Sequence, residues 1–215
     1  MQQPSFSFMA EPPREELAPG AVLLRGFASP RAGELLRAIE AVAAAAPFRN
    51  MVTPGGHRMS VAMTNCGAFG WVTDAAGYRY EDRDPASGRP WPALPDVVAQ
   101  LARDATGAAG HRDFAADACL VNRYEPGARM TLHQDRNERD FAQPIVSVSL
   151  GLPAVFLFGG LRRTDPARRV SLAHGDVVVW GGPARLSFHG VLPLRDGEHP
   201  AVGRVRYNLT LRAAR

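Results

Sequence analysis

The sequence predicts a mainly β protein of the α+β class, with a β-sandwich or barrel as its core. After residue 115, short apolar runs follow one another at close spacing, separated by turn residues such as Glu125-Pro126-Gly127 and Gly159-Gly160. No helical pattern falls between these runs. Before residue 115, two segments carry apolar residues at helical spacing, and these predict helices that flank the core.

The chain begins with a predicted tail, followed by a strand and a helix. Residues 1–20 hold several prolines and little periodicity, which is typical of a loose tail. A short strand is predicted over residues 21–26. A helix follows, with Ser29 as its N-cap and Pro30 in its first turn, and it ends at Pro47. Its inner face carries Leu35, Leu36, Ile39 and Val42.

A second helix is predicted over residues 96–106. Its inner face carries Val97, Val98, Leu101 and Ala105. Between the helices, residues 48–92 are rich in Gly, Pro, Arg, Met and aromatic residues, and their apolar runs are short. This composition predicts irregular strands and loops, suited to cover a site. The predicted organisation is therefore a tail at 1–20, an N-terminal region at 21–114 that contains this cover, and a core at 115–215.

The core region predicts a series of short strands with no helix among them, which is typical of a closed β architecture. The predicted strands are Ala118–Tyr124, Ile145–Leu150, Ala154–Phe158, Arg169–Leu172, Asp176–Trp180, Leu186–His189 and Arg204–Leu211.

Composition and charge are ordinary for a folded protein, with a mild excess of basic side chains. The sequence is 46% hydrophobic and 21% charged. Its net charge of +4 comes with Arg but no Lys, which permits a polyanionic partner without requiring one. The sequence has two cysteines, Cys66 and Cys119. We therefore expect no disulfide framework, and we expect a reducing cytoplasmic setting. No signal peptide or membrane span is predicted, so no membrane association is expected.

A candidate metal site is found at His133-Gln134-Asp135. On an extended chain these two ligand residues share a face, and one more His completes a 2-His-1-carboxylate triad for Fe(II). The same pattern recurs at His174-Gly175-Asp176. In a closed β-roll, the strand with the third ligand returns beside the first only after several intervening strands. His189 meets this condition relative to Asp135 but not relative to Asp176, so we predict His133, Asp135 and His189 as ligands and His174 as structural.

The last predicted strand offers a polar face for an acidic cosubstrate. Alternation places on that face Arg206, Asn208, Thr210 and Arg212. Such a face is also ordinary on a solvated edge strand. Asn122 and Tyr124, shortly before the His-x-Asp motif, favour the cosubstrate, because a dicarboxylate needs a guanidinium and hydrogen-bond donors beside the metal. Arg206 and Arg212 would lie roughly 20 Å apart on a straight strand, so both reach one ligand only if the strand curves.

A set of motifs spans about residues 50–212. They are Met59-Ser60-Val61-Ala62-Met63-Thr64-Asn65-Cys66-Gly67, Gly70-Trp71, Gly77-Tyr78-Arg79-Tyr80, Pro90-Trp91-Pro92, Asn122-Arg123-Tyr124, His133-Gln134-Asp135, Ser149-Leu150-Gly151, Phe158-Gly159-Gly160, residues 174–182, His189-Gly190 and Arg206-x-Asn208-x-Thr210-x-Arg212. Taken together, and in this order, these motifs resemble the AlkB family of dioxygenases.

The resemblance implies a double-stranded β-helix (jelly-roll) core with flanking helices and an N-terminal nucleotide-recognition lid at about residues 48–92. It implies that Fe(II), which reacts with O2, is bound at a catalytic centre formed by His133, Asp135 and His189. It implies that 2-oxoglutarate is bound by Asn122, Tyr124, Arg206, Asn208 and Arg212. It places near the substrate nucleotide Trp71, Tyr78, Arg79, Tyr80 and Arg163, with Trp71 stacked on a flipped base that can carry positive charge.

One position departs from the family pattern. A second acid commonly follows the metal-binding Asp by two residues and reads the exocyclic amine of the base, whereas this sequence has Asn137. Asn keeps an acceptor oxygen but loses the charge that favours a cationic base. Asn137 is therefore a candidate substrate-binding residue, and it leaves the lesion preference open.

The resemblance implies oxidative demethylation of N-methyl bases such as 1-methyladenine and 3-methylcytosine, with release of formaldehyde, succinate and CO2. The expected partner is alkylated DNA, preferentially single-stranded, with RNA as a second candidate, bound by a monomer. A target atom inside a duplex must be flipped out or already single-stranded. Two alternatives stay open: a dioxygenase of this type that acts on a protein or small molecule, and a non-catalytic nucleic-acid binder on a β-roll.

Overall fold

The computed structural model describes residues 13–215 and contains two helices, two sheets that face each other, and a separate hairpin. The helices are α1 (Ala32–Ala45) and α2 (Asp96–Ala108). The strands are β1 (Arg14–Ala18), β2 (Ala21–Leu24), β3 (Ala62–Gly67), β4 (Gly70–Asp74), β5 (Gly77–Glu81), β6 (Ala118–Tyr124), β7 (Met130–His133), β8 (Ile145–Gly151), β9 (Ala154–Phe158), β10 (Arg168–Leu172), β11 (Val177–Trp180), β12 (His189–Val191) and β13 (Arg206–Arg212).

The strand order explains the shape of the core. The larger sheet has the order β1-β2-β11-β8-β13-β6-β3, and the smaller has the order β10-β9-β12-β7. From β6 to β13 the chain passes back and forth between the two sheets, and these strands pair with one another in antiparallel fashion. This is the arrangement of a double-stranded β-helix, so the predicted jelly-roll core is confirmed. The third sheet is the β4–β5 hairpin.

Strand β11 shows how the sequence builds the layers. All four of its residues are buried, because each face of the strand packs on a different layer. Val178 and Trp180 belong to the core between the two sheets, together with Phe156. Val177 and Val179 face the opposite way, into a second core that includes the inner faces of α1 and α2. The two helices therefore cover the outer face of the larger sheet and leave its inner face for the site.

The N-terminal elements correct two predictions. The predicted loose tail is wrong for Arg14–Ala18, which pairs with β2 as an edge strand; residues 1–12 lie outside the described residues. The strand has no apolar pattern to reveal it, and Glu15 is instead bound by Arg25 and Arg168. Ser29 is not the helix N-cap, because residues 29–31 form a 3₁₀ turn and α1 begins after it.

The central part of the chain departs from prediction in three places. Strand β7 was not predicted, because its four residues are partly exposed and too few to show a period. The strand predicted over residues 186–189 is wrong in its bounds: residues 185–186 form a turn and β12 begins at His189. The predicted cover at 48–92 holds three regular strands, and β3 belongs to the larger sheet beside β6. In the described part of the chain, no helix has both the length and the apolarity needed to cross a membrane.

Candidate metal centre

The three predicted metal ligands converge between the two sheets. His133 ends β7 and His189 begins β12, and the two are direct cross-strand partners. Asp135 lies two residues after the end of β7, and its carboxylate lies beside the two imidazoles. Its carboxylate oxygens lie 3.8 Å from His133 Nε2 and 3.7 Å from His189 Nε2. Within residues 13–215, this is the one group whose His, Cys, Asp or Glu ligand atoms, all within 4.8 Å of one another, could hold a metal ion.

Backbone carbonyls orient both imidazoles toward the metal position. His133 Nδ1 lies 2.8 Å from the carbonyl oxygen of Thr131, and His189 Nδ1 lies 3.0 Å from that of Ser187. Each Nδ1–H therefore donates to the backbone and leaves the Nε2 lone pair free for a metal. Burial, together with nearby His133, lowers the pKa of His189 to about 4. His189 is thus neutral, as a metal ligand must be, at physiological pH.

Arg212 holds the carboxylate of the centre. Its Nε and Nη2 donate to Asp135 Oδ2 over 2.9 and 2.6 Å. Burial by itself would raise the pKa of Asp135, but Arg212 and the two imidazoles hold that pKa well below its ordinary value. The carboxylate is therefore ionised, with Oδ1 toward His133 and Oδ2 shared between Arg212 and His189.

Behind this centre is a buried ionic cluster that the sequence analysis missed. Glu138 accepts hydrogen bonds from the Tyr80 hydroxyl (2.6 Å) and from Arg185 Nη2 (3.0 Å), and it lies 3.5 Å from Arg212 Nε. Arg185 also donates to the backbone oxygen of Asp135 over 2.8 Å. The cluster thus fixes both the loop and the side chain of the acidic ligand. Residues 136–140 form a run of polar and charged residues that is typical of a solvated loop, so the sequence held no signal for Glu138.

This cluster corrects the prediction for Tyr80. The side chain was expected to contact a nucleotide, but the residue is 5% exposed and its hydroxyl donates to Glu138. Burial raises the pKa of Tyr80 well above its ordinary value, so the hydroxyl stays protonated as a donor. The side chain of Tyr80 thus lies in the ionic cluster behind the metal centre.

A small cavity of about 50 Å³ adjoins the metal centre between the sheets. All the predicted cosubstrate residues line it: Asn122, Tyr124, Arg206, Asn208 and Arg212. The register explains this convergence, since Arg206 pairs with Tyr124 and Asn208 with Asn122 across β13 and β6. The polar face of β13 is buried because this strand is central in its sheet, and it is not the solvated edge strand considered above.

Arg206 is a buried cation without a countercharge among residues 13–215. The residue is 1% exposed, and its Nη2 donates to Ser149 Oγ over 3.0 Å. Its Nε and Nη1 have no hydrogen-bond partner in the described chain, and neither has the Oδ1 of Asn122. Burial of an unpaired charge is costly, and here it lowers the pKa of Arg206. Unused guanidinium donors in a cavity beside a metal centre fit an anionic ligand such as a carboxylate.

A second cavity of about 510 Å³ also adjoins the metal centre. Four predicted substrate residues line it together with His133 and Asp135: Trp71, Tyr78, Asn137 and Arg163. Arg79 does not line it. Its guanidinium is bound instead by Asp74 over 2.9 Å and by Glu81 over 2.5 Å.

Aromatic and polar groups form the walls of this large cavity. Trp71 and Tyr78, diagonal neighbours on the β4–β5 hairpin, stack with ring centroids 5.7 Å apart. The indole Nε1–H of Trp71 donates to Asn137 Oδ1 over 3.2 Å. Arg163 lies over the ring of Phe188 at 6.0 Å. A planar ligand that enters this space would therefore meet aromatic faces on one side and the metal ligands on the other.

The competing motif at residues 174–176 is structural. The Asp176 carboxylate accepts hydrogen bonds from the backbone N–H of Gly26 and Ala173 and from Arg25, each over 2.9 Å. His174 accepts from the backbone N–H of Gly151 over 3.0 Å. These contacts fasten the turn before β11 to the end of β8, which agrees with the structural role predicted for His174.

Comparison with known proteins gives a consistent result. The family model described as the 2OG-Fe(II) oxygenase superfamily matches residues 20–212. The alpha-ketoglutarate-dependent dioxygenase AlkB of Salmonella typhimurium is 61% identical over 94% of both chains. The DNA N(6)-methyladenine demethylase ALKBH1A of Arabidopsis thaliana is 35% identical over 61% of this chain and 39% of its own. The solved structure of OsALKBH1 superposes with a TM-score of 0.81 at 30% identity and covers 93% of this chain and 99% of that one.

Proposed function

Because this chain belongs to the 2OG-Fe(II) oxygenase superfamily and, within it, to the AlkB family, we propose that it removes N-methyl groups from damaged nucleic-acid bases by oxidation. The observation that carries the proposal is the meeting of two cavities at one metal centre. His189 lines the small cavity, Asp135 lines the large one, and His133 lines both. A carboxylate ligand in one cavity and a planar base in the other would therefore reach the same metal position.

The residues of the small cavity fit Fe(II) with 2-oxoglutarate. His133, Asp135 and His189 would hold the metal, with oxygen and nitrogen donors that suit Fe(II). Arg206 would bind one carboxylate with its unused donors, and Asn122, Tyr124 and Asn208 would complete the polar wall. When bound, Fe(II) and 2-oxoglutarate supply the oxidising power of O2, which converts an N-methyl group to formaldehyde and yields succinate and CO2. Arg212 keeps Asp135 ionised and oriented throughout.

The large cavity suits a single flipped base. Its volume lies in the range of ordinary ligand pockets, and Trp71 and Tyr78 offer stacking surfaces. Arg136 and Arg163 on its lining would attract the phosphate backbone, which makes binding salt-dependent. A base reaches this depth only outside its stack, so single-stranded DNA is the preferred partner in this proposal, with RNA second.

The proposal also includes a monomer in the cytoplasm. Every residue assigned to metal, cosubstrate and base comes from this one chain, and no second copy is needed to complete the site. The two cysteines, Cys66 and Cys119, are both free and buried, which suits a reducing compartment.

Turnover of defined substrates tests the function. The protein is loaded with Fe(II) and given 2-oxoglutarate and single-stranded oligonucleotides that carry one methylated base, and formaldehyde and succinate are measured. We expect both products in equal amounts from the wild type and neither from His133→Ala. If formaldehyde is released from a methylated peptide but from no oligonucleotide, the substrate is a protein and the proposed substrate class is wrong. Oligonucleotide binding without succinate in the wild type would support the non-catalytic binder instead.

A further inference from the structure

Asn137 is positioned to decide which base edge the large cavity accepts. It lines that cavity together with Trp71 and the metal ligands His133 and Asp135. A base whose N-methyl group faces the metal centre has its adjacent exocyclic group on the same edge. That exocyclic group therefore comes within reach of the residue that follows Asp135 by two positions.

The hydrogen bond from Trp71 fixes the orientation of the Asn137 amide. An indole N–H is a donor only, so the atom it contacts at 3.2 Å must be the acceptor Oδ1. The amide NH2 group is then directed away from the indole, and it can only donate. A carboxylate at this position would behave differently, since either oxygen could accept from Trp71 while the other stayed free as an acceptor.

The charges on the lining of the large cavity also disfavour a cationic base. Among the described residues that line it, Asp135 is the one acid, and its carboxylate is committed to Arg212 and the metal position. Glu138 lies behind this wall, and Tyr80 and Arg185 occupy its oxygens. Arg136, Arg163 and Arg212 are the basic residues of the lining. The cavity thus offers no free carboxylate to a cationic base.

From these two observations we infer that Asn137, held by Trp71, presents a donor to the base and shifts specificity toward neutral N-methylated bases whose exocyclic group at purine C6 or pyrimidine C4 is a carbonyl. N1-methylguanine and N3-methylthymine have this edge. N1-methyladenine and N3-methylcytosine carry an amine there and can be cationic, so they lack an acceptor for the Asn137 NH2 group. This inference rests on the proposed function, within which it names the substrate class.

A specificity ratio measures the effect. Four single-stranded oligonucleotides differ only in the methylated base, and kcat/KM is determined for each with the iron-loaded enzyme. The ratio of the carbonyl pair to the amine pair is compared between wild type and Asn137→Asp. Since replacing a matched donor by an acceptor costs about one hydrogen bond, we expect this ratio to fall about tenfold in Asn137→Asp. Affinities of the iron-free protein for the same oligonucleotides should change in the same direction.

A second substitution tests the role of Trp71. Trp71→Phe keeps an aromatic face but removes the N–H that fixes the amide, so the Asn137 side chain can turn over. We expect the specificity ratio to fall in Trp71→Phe and to stay the same when Trp71→Phe is added to Asn137→Asp, because a carboxylate has no orientation to lose. Gln100→Glu on the exposed face of α2 makes the same amide-to-acid change far from the cavity and should leave the ratio unchanged.

The outcomes separate the two levels of the proposal. An equal ratio in wild type and Asn137→Asp, or an equal effect of Trp71→Phe in both backgrounds, overturns the inference while methyl removal from nucleic acid stands. Turnover of none of the four oligonucleotides by wild type overturns the proposed function and this inference with it. A lower ratio in Asn137→Asp and in Trp71→Phe, without a further change in the double variant, supports the inference.

Discussion

The two cavities that meet at the metal centre are built by different means. The small one is enclosed by strands of both sheets, and the polar residues that the larger sheet contributes to it are almost fully buried. The large one is about ten times larger in volume and is lined by a hairpin and loops, with Tyr78 and Asn137 exposed to solvent. The first is held by strand register, whereas the second is held by side-chain contacts such as that between Trp71 and Asn137.

This difference separates chemistry from specificity. If β13 shifted by one residue against β6, its polar side chains would move to the face of the sheet that packs on the helices. The positions of the polar residues in the small cavity are therefore strongly fixed. Loop and hairpin side chains can change without cost to the core. We therefore expect substitutions in the small cavity to abolish turnover, and substitutions in the large cavity to change which substrate is used.

The largest effect is expected at Arg206. Arg206→Met should lower the affinity for 2-oxoglutarate about a hundredfold or more, because its guanidinium is the one unpaired cation of the small cavity in the described chain. The same change should not lower the free energy of unfolding of the ligand-free protein, since it removes a buried charge that lacks a countercharge. Calorimetric titration with 2-oxoglutarate and thermal unfolding measure the two effects. Arg204→Met, at an exposed ion pair with Asp196, should change neither; equal affinities for the two variants would contradict the assignment.

A substitution on the wall of the small cavity should weaken the metal site itself. A Cβ at Gly190 would lie 2.7 Å from the backbone oxygen of Met130, so Gly190→Ala pushes β12 away from β7 and separates His189 from His133. We expect the affinity for Co(II), a spectroscopic substitute for iron, to fall about tenfold, since a misplaced ligand loses part of its bond. Gly107→Ala on the open face of α2 is the matched control, and it should raise stability by about 0.5–1 kcal/mol without affecting the metal. Unchanged Co(II) spectra in Gly190→Ala would show that the strands tolerate the added group.

Two tyrosines on one face of β5 give a smaller contrast. Tyr78→Ala should raise KM for methylated oligonucleotides about threefold to tenfold through lost stacking, with little change in stability. Tyr80→Phe should leave KM unchanged and lower the free energy of unfolding by about 1–2 kcal/mol, because Glu138 loses a buried donor. Steady-state kinetics and denaturant unfolding of both variants measure this contrast. A rise in KM in Tyr80→Phe would show that the Tyr80 hydroxyl does contribute to substrate binding, despite its burial.

The smallest effect is expected at Arg79. Its guanidinium is held by Asp74 and Glu81 outside the large cavity, so Arg79→Ala should leave KM for oligonucleotides within about twofold of wild type. Steady-state kinetics at low and moderate salt measure this effect. A clear rise in KM would show that Arg79 contacts the phosphate backbone and that the hairpin rearranges to release Arg79 from its ion pairs.

The sequence allowed the small cavity to be predicted more fully than the large one. Strict alternation on β13 placed Arg206 and Asn208 on one face, and strand pairing alone then brought that face to Asn122 and Tyr124. The resemblance placed both Tyr78 and Tyr80 near the nucleotide, but a motif does not tell where a layer ends, so it missed that only Tyr80 is buried. Glu138 was out of reach altogether, since its partners Tyr80, Arg185 and Arg212 are distant in sequence and its neighbours are hydrophilic.

Strand β13 lies between β8 and β6, although a ribosome makes it after every other strand of the larger sheet. Until it is translated, β6 and β8 have unpaired edges that face each other across a gap one strand wide, and such edges can pair with other chains. Closure of the sheet therefore awaits long-range contacts, which makes folding slow. Production of this protein should accordingly benefit from slower translation or from chaperones, and nascent chains that lack β13 should aggregate.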